Sequence, residues 1–108
     1  MRTKGLDLDV MQERAGEVAG LLRAMANERR LLILCKLVEW GEANVNTLAE
    51  AVGLSASALS QHLAKMRAEG LVTFRRESQT IWYRIADPRV EELFATLHKL
   101  FCQTSKRC

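Results

Sequence analysis

The sequence predicts a mainly α-helical domain closed by one small β-hairpin, and three observations lead there. Aromatic residues make up 6% of the 108 residues and proline occurs once, a composition that leans toward helix. Apolar residues recur at steps of three and four over most of the chain, which is the period of a helix. Only in the stretch 71–85 does that period give way to two runs of strand composition separated by three polar residues.

The first helix is expected from about Asp9 to Met25. Leu8, Met11, Ala15, Val18, Leu22 and Met25 form a narrow apolar seam on it. Such a seam either lies on the domain's own core or meets the same seam of a second copy. Asn27 is a good N-cap for a second helix, with Glu28 in its first turn. That helix runs through Leu31, Leu34, Cys35 and Val38 until Gly41 ends it. Glu42 to Asn44 reads as a loop and Val45 as a short extended segment. Asn46 or Thr47 opens a third helix, Leu48 to Val52, which Gly53 stops. Ser55 caps a fourth, from Ala56 to Ala68, ending at Gly70. Leu71 to Arg76 and Thr80 to Ile85 pair as a hairpin bent at Ser78 and Gln79. Asp87 and Pro88 open a last helix, striped by Val90, Leu93, Phe94, Leu97, Leu100 and Phe101. Residues 1–108 thus form a single domain, with a tail over 103–108 expected to fray.

Composition excludes several classes. Hydrophobic residues are 48% of the chain, too many for a disordered protein. No apolar run approaches the roughly 20 residues of a membrane span, and Met1 to Val10 lacks the apolar core of a secretion signal. The reading is a cytoplasmic protein whose three cysteines start out reduced. No Cys-x-x-Cys, Gly-rich phosphate loop or Ser/His/Asp pattern argues for an enzyme. The formal net charge of +3 and pI near 9.0 are modest, but the charge is placed unevenly. Between Ser55 and Arg84, Lys65, Arg67, Arg75, Arg76 and Arg84 outnumber Glu69 and Glu77.

A short helix, a glycine turn and a second helix with a polar face make a helix-turn-helix over Leu48 to Met66. Ala49, Val52, Leu54, Leu59 and Leu63 pack its two helices together. Ser55, Ser57, Ser60, Gln61 and His62 lie toward the N-terminal half of the second helix, the part that enters a major groove. Gln61 suits adenine, Lys65 a phosphate. The hairpin that follows carries Arg75, Arg76 and Gln79 near its tip, as a wing that reaches phosphate or the minor groove. Charges on an edge hairpin also protect it from aggregation. The fold is then a winged helix-turn-helix and the partner double-stranded DNA. A pure protein-interaction module is the competing class, and steep salt dependence of binding discriminates the two. His62 has no Cys, Asp or second His at ligand spacing, so it is not read as a metal ligand.

These residues carry a resemblance. The run Ala24-Met25-Ala26-Asn27-Glu28-Arg29-Arg30-Leu31-Leu32-Ile33-Leu34 is similar to the opening of the second helix in the ArsR/SmtB family of bacterial repressors. Thr47-Leu48-Ala49-Glu50, Gly53-Leu54-Ser55, Ser60-Gln61-His62-Leu63, Glu69-Gly70-Leu71-Val72 and Tyr83-Arg84-Ile85 match the same family in order. The resemblance spans about Val18 to Phe101. It implies a homodimer built from the first and last helices, each copy reading half of an inverted-repeat operator.

Two family metal sites are missing. The third helix has no Cys-x-Cys, and the last helix offers His98 alone with Glu91 and Glu92 on its first turn. No metal and no cofactor are therefore expected. Cys35 in the second helix and Cys102 at the end of the last resemble the dithiol of the persulfide-responsive BigR/SqrR branch. The resemblance implies a repressor that leaves its operator when reactive sulfur species bridge that pair. A metal held by Cys35, Cys102 and His98 is the rival, as is a general peroxide-type thiol sensor. Both cysteines also fit apolar stripes, where cysteine acts as a small hydrophobe. Cys108 has no counterpart in that branch.

Overall fold

The computed structural model describes residues 8–102. The expected 103–108 tail and the side chain of Cys102 lie outside the described residues. Five helices and three short strands follow in the order α1 (Leu8–Met25), α2 (Glu28–Trp40), β1 (Ala43–Asn44), α3 (Val45–Val52), α4 (Ala56–Ala68), β2 (Val72–Glu77), β3 (Thr80–Ile85) and α5 (Pro88–Cys102). The strands form one antiparallel sheet in the order β1-β3-β2. This is a winged helix-turn-helix, mainly helical as the sequence predicts. Among the described residues no helix is long and apolar enough to cross a membrane.

The region between α2 and α3 differs from the expected loop. Ala43 pairs with Tyr83 and Asn44 with Trp82, so part of that loop is the third strand of the sheet. Val45 is helical rather than extended, and α3 starts earlier than Asn46. The reason is the cap: Asn44 Oδ1 accepts a hydrogen bond from Thr47 N at 2.9 Å, which satisfies a free amide of the first turn. Strand β2 begins at Val72 rather than Leu71, although Leu71 is fully buried.

The core draws on every element. Ile33, Leu34 and Leu37 of α2, Leu48 of α3, Leu59, Leu63 and Met66 of α4, Leu71, Val72 and Val90 are at most 2% exposed. Of the α1 seam only Met25 enters this core, at 3% exposure, while Leu8, Met11 and Leu22 stay 62%, 48% and 48% exposed. The seam therefore does not lie on its own domain's core. The α5 stripe divides similarly: Val90 and Phe94 are buried, whereas Leu100 and Phe101 are 69% and 79% exposed. Both helices of the expected dimer scaffold leave apolar surface uncovered within one chain.

Candidate nucleic-acid interface

Helix α4 is built with two faces. Leu59, Leu63 and Met66, at steps of four and three, are buried against the core. Ser57, Ser60, Gln61 and Lys65 are exposed, and His62 is half-buried between the faces. Ser57, Gln61 and Lys65 follow one another at steps of four, so they line one ridge. Ala64, exposed beside them, adds no bulk to that surface. The start of the helix is fixed by Ser55, whose Oγ accepts a hydrogen bond from Ala58 N at 3.0 Å. Bounds of Ala56–Ala68 match those expected from Ser55 and Gly70.

The turn before α4 requires Gly53. Its φ of 71° lies in the left-handed region, where a side chain costs energy. Arg29 of α2 closes this corner, donating from Nη1 to the carbonyl of Val52 at 3.0 Å. Arg30 donates to the Ala24 carbonyl at 2.7 Å and to Glu69 at 2.6 Å. Ala24 lies near the end of α1 and Glu69 is the C-cap of α4. Two adjacent arginines of the quoted second-helix motif thus hold the reading unit in place. The sequence shows the motif but not its carbonyl partners.

The wing is joined to α4 by a small aromatic cluster. Phe74 and Tyr83, paired across β2 and β3, have ring centroids 5.5 Å apart. Arg67, near the end of α4, stacks over Phe74 at 4.4 Å, a cation–π contact that fixes the angle of the hairpin. At its tip, Ser78 takes a positive φ of 58°, and Gln79 and Arg76 are exposed. Arg75 differs from Arg76. Its Nε and Nη2 donate to Glu42 Oε2 and Oε1 at 3.2 and 2.7 Å. The Arg75 guanidinium, followed by that of Arg84, holds the Glu42 carboxyl below its ordinary range. Among the described residues Arg76 has no ion-pair partner.

The two cysteines of the expected dithiol fall differently. Cys35 is half-buried and packs against the core from α2. Cys102 is the last residue of α5. His98 is exposed on α5, and among the described residues no three His, Cys, Asp or Glu side chains are grouped to hold a metal.

Known proteins share this architecture. The pattern described as "Bacterial regulatory protein, arsR family" matches residues 27–73, from the α2 cap into the wing. The transcriptional activator HlyU of Vibrio cholerae is 44% identical over 101 residues, covering 94% of this chain and 93% of HlyU. A structure described as reduced HlyU from Vibrio cholerae N16961 superposes with a TM-score of 0.79 at 46% identity, over 86% of this chain and 97% of that one. The transcriptional repressor BigR from Xylella fastidiosa gives a TM-score of 0.82 at 36% identity, over 90% and 98%. All are transcriptional regulators rather than enzymes. With near-complete coverage at such identity, and with the reading helix, glycine turn and wing in place, the chain belongs to the ArsR family of DNA-binding transcriptional regulators.

Proposed function

We propose that this protein is a homodimeric repressor that occupies an inverted-repeat operator and releases it when a sulfur bridge joins Cys35 and Cys102. The observation that carries DNA reading is the exposed polar face of α4, with Ser57, Ser60, Gln61 and Lys65 opposite a fully buried apolar one. That face enters a major groove, where Gln61 pairs with adenine and Lys65 meets phosphate. Ser55 and His62 border it, and Arg76 and Gln79 reach the backbone from the wing. The uncovered apolar residues of α1 and α5 supply the dimer seam, and two copies place two α4 helices for two half-sites. With DNA as its partner, the protein works in the cytoplasm.

Support for the dithiol comes from three sides. Cys35 is half-buried rather than sealed in the core, so a small sulfur donor reaches it. The helices that carry Cys35 and Cys102 pack against each other. The relative HlyU has a structure described as reduced, and the relative BigR is a repressor. In the proposed step the two thiols lose two electrons and two protons. A sulfane sulfur of a polysulfide takes the electrons and leaves as hydrosulfide, and further sulfur atoms are kept where the gap exceeds a direct disulfide. A duplex selected from random DNA by the reduced protein, titrated with and without polysulfide, tests this. Wild type is expected to release the duplex, whereas Cys35→Ser binds it equally and does not respond. Continued release by Cys35→Ser rejects the dithiol. Release by zinc or by an arsenic or antimony salt, but not by polysulfide, favours the metal reading with His98.

A further inference from the structure

Arg75 and Arg76 are neighbours in sequence, but their side chains lie on opposite faces of β2. Along β2, Val72 is buried and Phe74 stacks under Arg67 of α4. Side chains alternate along a strand, so Arg76 continues that face toward the tip, on the side of the reading helix. Thr73, Arg75 and Glu77 point away from it. On this outer face the three guanidinium nitrogens of Arg75 are all engaged. Nε and Nη2 grip Glu42 in a two-pronged fork, and Nη1 is 3.6 Å from Glu77. The guanidinium carbon lies 5.8 Å from the ring of Trp82, its cross-strand partner. Glu42 is held there because the next residue, Ala43, is buried and paired with Tyr83.

We propose that Glu42 clamps Arg75 away from DNA, so that Arg76 carries the wing's phosphate contact and Glu42 sets how tightly the wing grips. This rests on the DNA-binding reading above. A carboxylate presents the same two-oxygen edge to a guanidinium that a phosphate does, so Glu42 occupies the fork Arg75 would offer to DNA. For Arg75 to turn to a phosphate it must give up both hydrogen bonds and the Trp82 contact. It would also leave a bare carboxylate facing a polyanion. Arg76 gives up no ion pair among the described residues, so its contact is the less costly one.

Salt dependence reads the number of phosphates engaged, because each adds about 0.9 to the slope of log affinity against log salt. Between 50 and 200 mM salt one contact is therefore worth about a 3.5-fold change in affinity. The duplex selected by the wild-type protein is titrated over that range by fluorescence anisotropy with R75Q, R76Q, E42Q and the E42Q/R75Q double variant. R76Q is expected to flatten the slope by about one contact per subunit, two per dimer, and R75Q to leave it unchanged. E42Q frees Arg75 and steepens the slope by about one contact per subunit, two per dimer, and E42Q/R75Q returns it to the wild-type value. The clamp is overturned if R75Q flattens the slope as R76Q does, or if E42Q/R75Q stays as steep as E42Q. Wild-type protein showing no salt-dependent binding instead overturns the DNA-binding reading itself.

Discussion

Replacing Arg30 by Met removes one guanidinium from the junction of α1, α2 and α4 and keeps most of the apolar stem. The structure gives Arg30 two partners of unequal value. Glu69 is 43% exposed on its side chain, and an ion pair with so open a carboxylate contributes about 0–1 kcal/mol. The Ala24 carbonyl belongs to the last turns of α1 and has lost its helical donor. Arg30 supplies that donor at 2.7 Å from a side chain only 13% exposed. Leaving a shielded carbonyl unpaired costs about 1–3 kcal/mol. Arg30→Met is thus expected to destabilise by about 2 kcal/mol, most of it from the carbonyl. Glu69→Gln should cost less than about 1 kcal/mol. Urea titration at one fixed protein concentration measures both, since a dimer's midpoint moves with concentration. The Arg30→Met midpoint should fall with an unchanged slope, and its melting temperature by about 10 °C. Equal losses for the two variants would refute the reasoning, because the ion pair would then outweigh the carbonyl.

Gln61→Ala should leave the fold intact and cost about 1–3 kcal/mol at one base pair of each half-site, seen as relaxed preference there in a competition assay; uniform weakening across sequences would contradict base reading. Acid stability tests the bridge between α1 and α5. Hydrogen bonds from Arg14 and then Arg89 lower the pKa of Glu17 from 4.5 to about 2. A depressed carboxyl contributes stability above its unfolded pKa and loses it as pH falls through the folded one. Wild type should therefore lose stability from about pH 4.5 toward 2 more steeply than Glu17→Gln, as followed by circular dichroism; parallel acid limbs would contradict the assignment. Leu22→Glu puts a charge into the uncovered α1 seam, where the leucine is 48% exposed, and should shift sedimentation toward monomer without lowering the helix content. A dimer that survives it does not use this seam.

Local signals made the reading helix legible. Ser55 and Gly70 flank α4, and both act within a few residues of chain, so its bounds match expectation. Strand β1 was not legible, because its two residues are strand only through pairing with Trp82 and Tyr83 far along the chain. The same distance hid Glu42, whose partner lies 33 residues away. The difference between Arg75 and Arg76 carried a usable signal, since adjacent strand residues face opposite ways. Which face meets α4 depends on the packing of Phe74 and Arg67, and no window of sequence contains both the helix and its register with the sheet. The α1 seam was legible as a seam, but its alternatives differ only in what covers it, and exposure of Leu8, Met11 and Leu22 removes the domain's own core from the choice.

In the proposed switch, helix α2 is where an event at Cys35 meets the DNA-reading parts. It buries Ile33, Leu34 and Leu37 and packs against α3, β3 and α5. Cys35 follows Leu34 directly, so sulfur added there must be accommodated beside fully packed side chains. Close-packed interiors move as blocks rather than absorb such volume. The N-terminal end of the same helix holds the end of α3 through Arg29 and the end of α4 through Arg30. A small rotation of α2 therefore reaches the turn and the far end of the helix-turn-helix by hydrogen bonds and the wing by its contact with β3. Half-site spacing in a dimer tolerates little change in the angle of α4, so under the proposed switch a shift too small to disturb the fold is enough to separate binding from release.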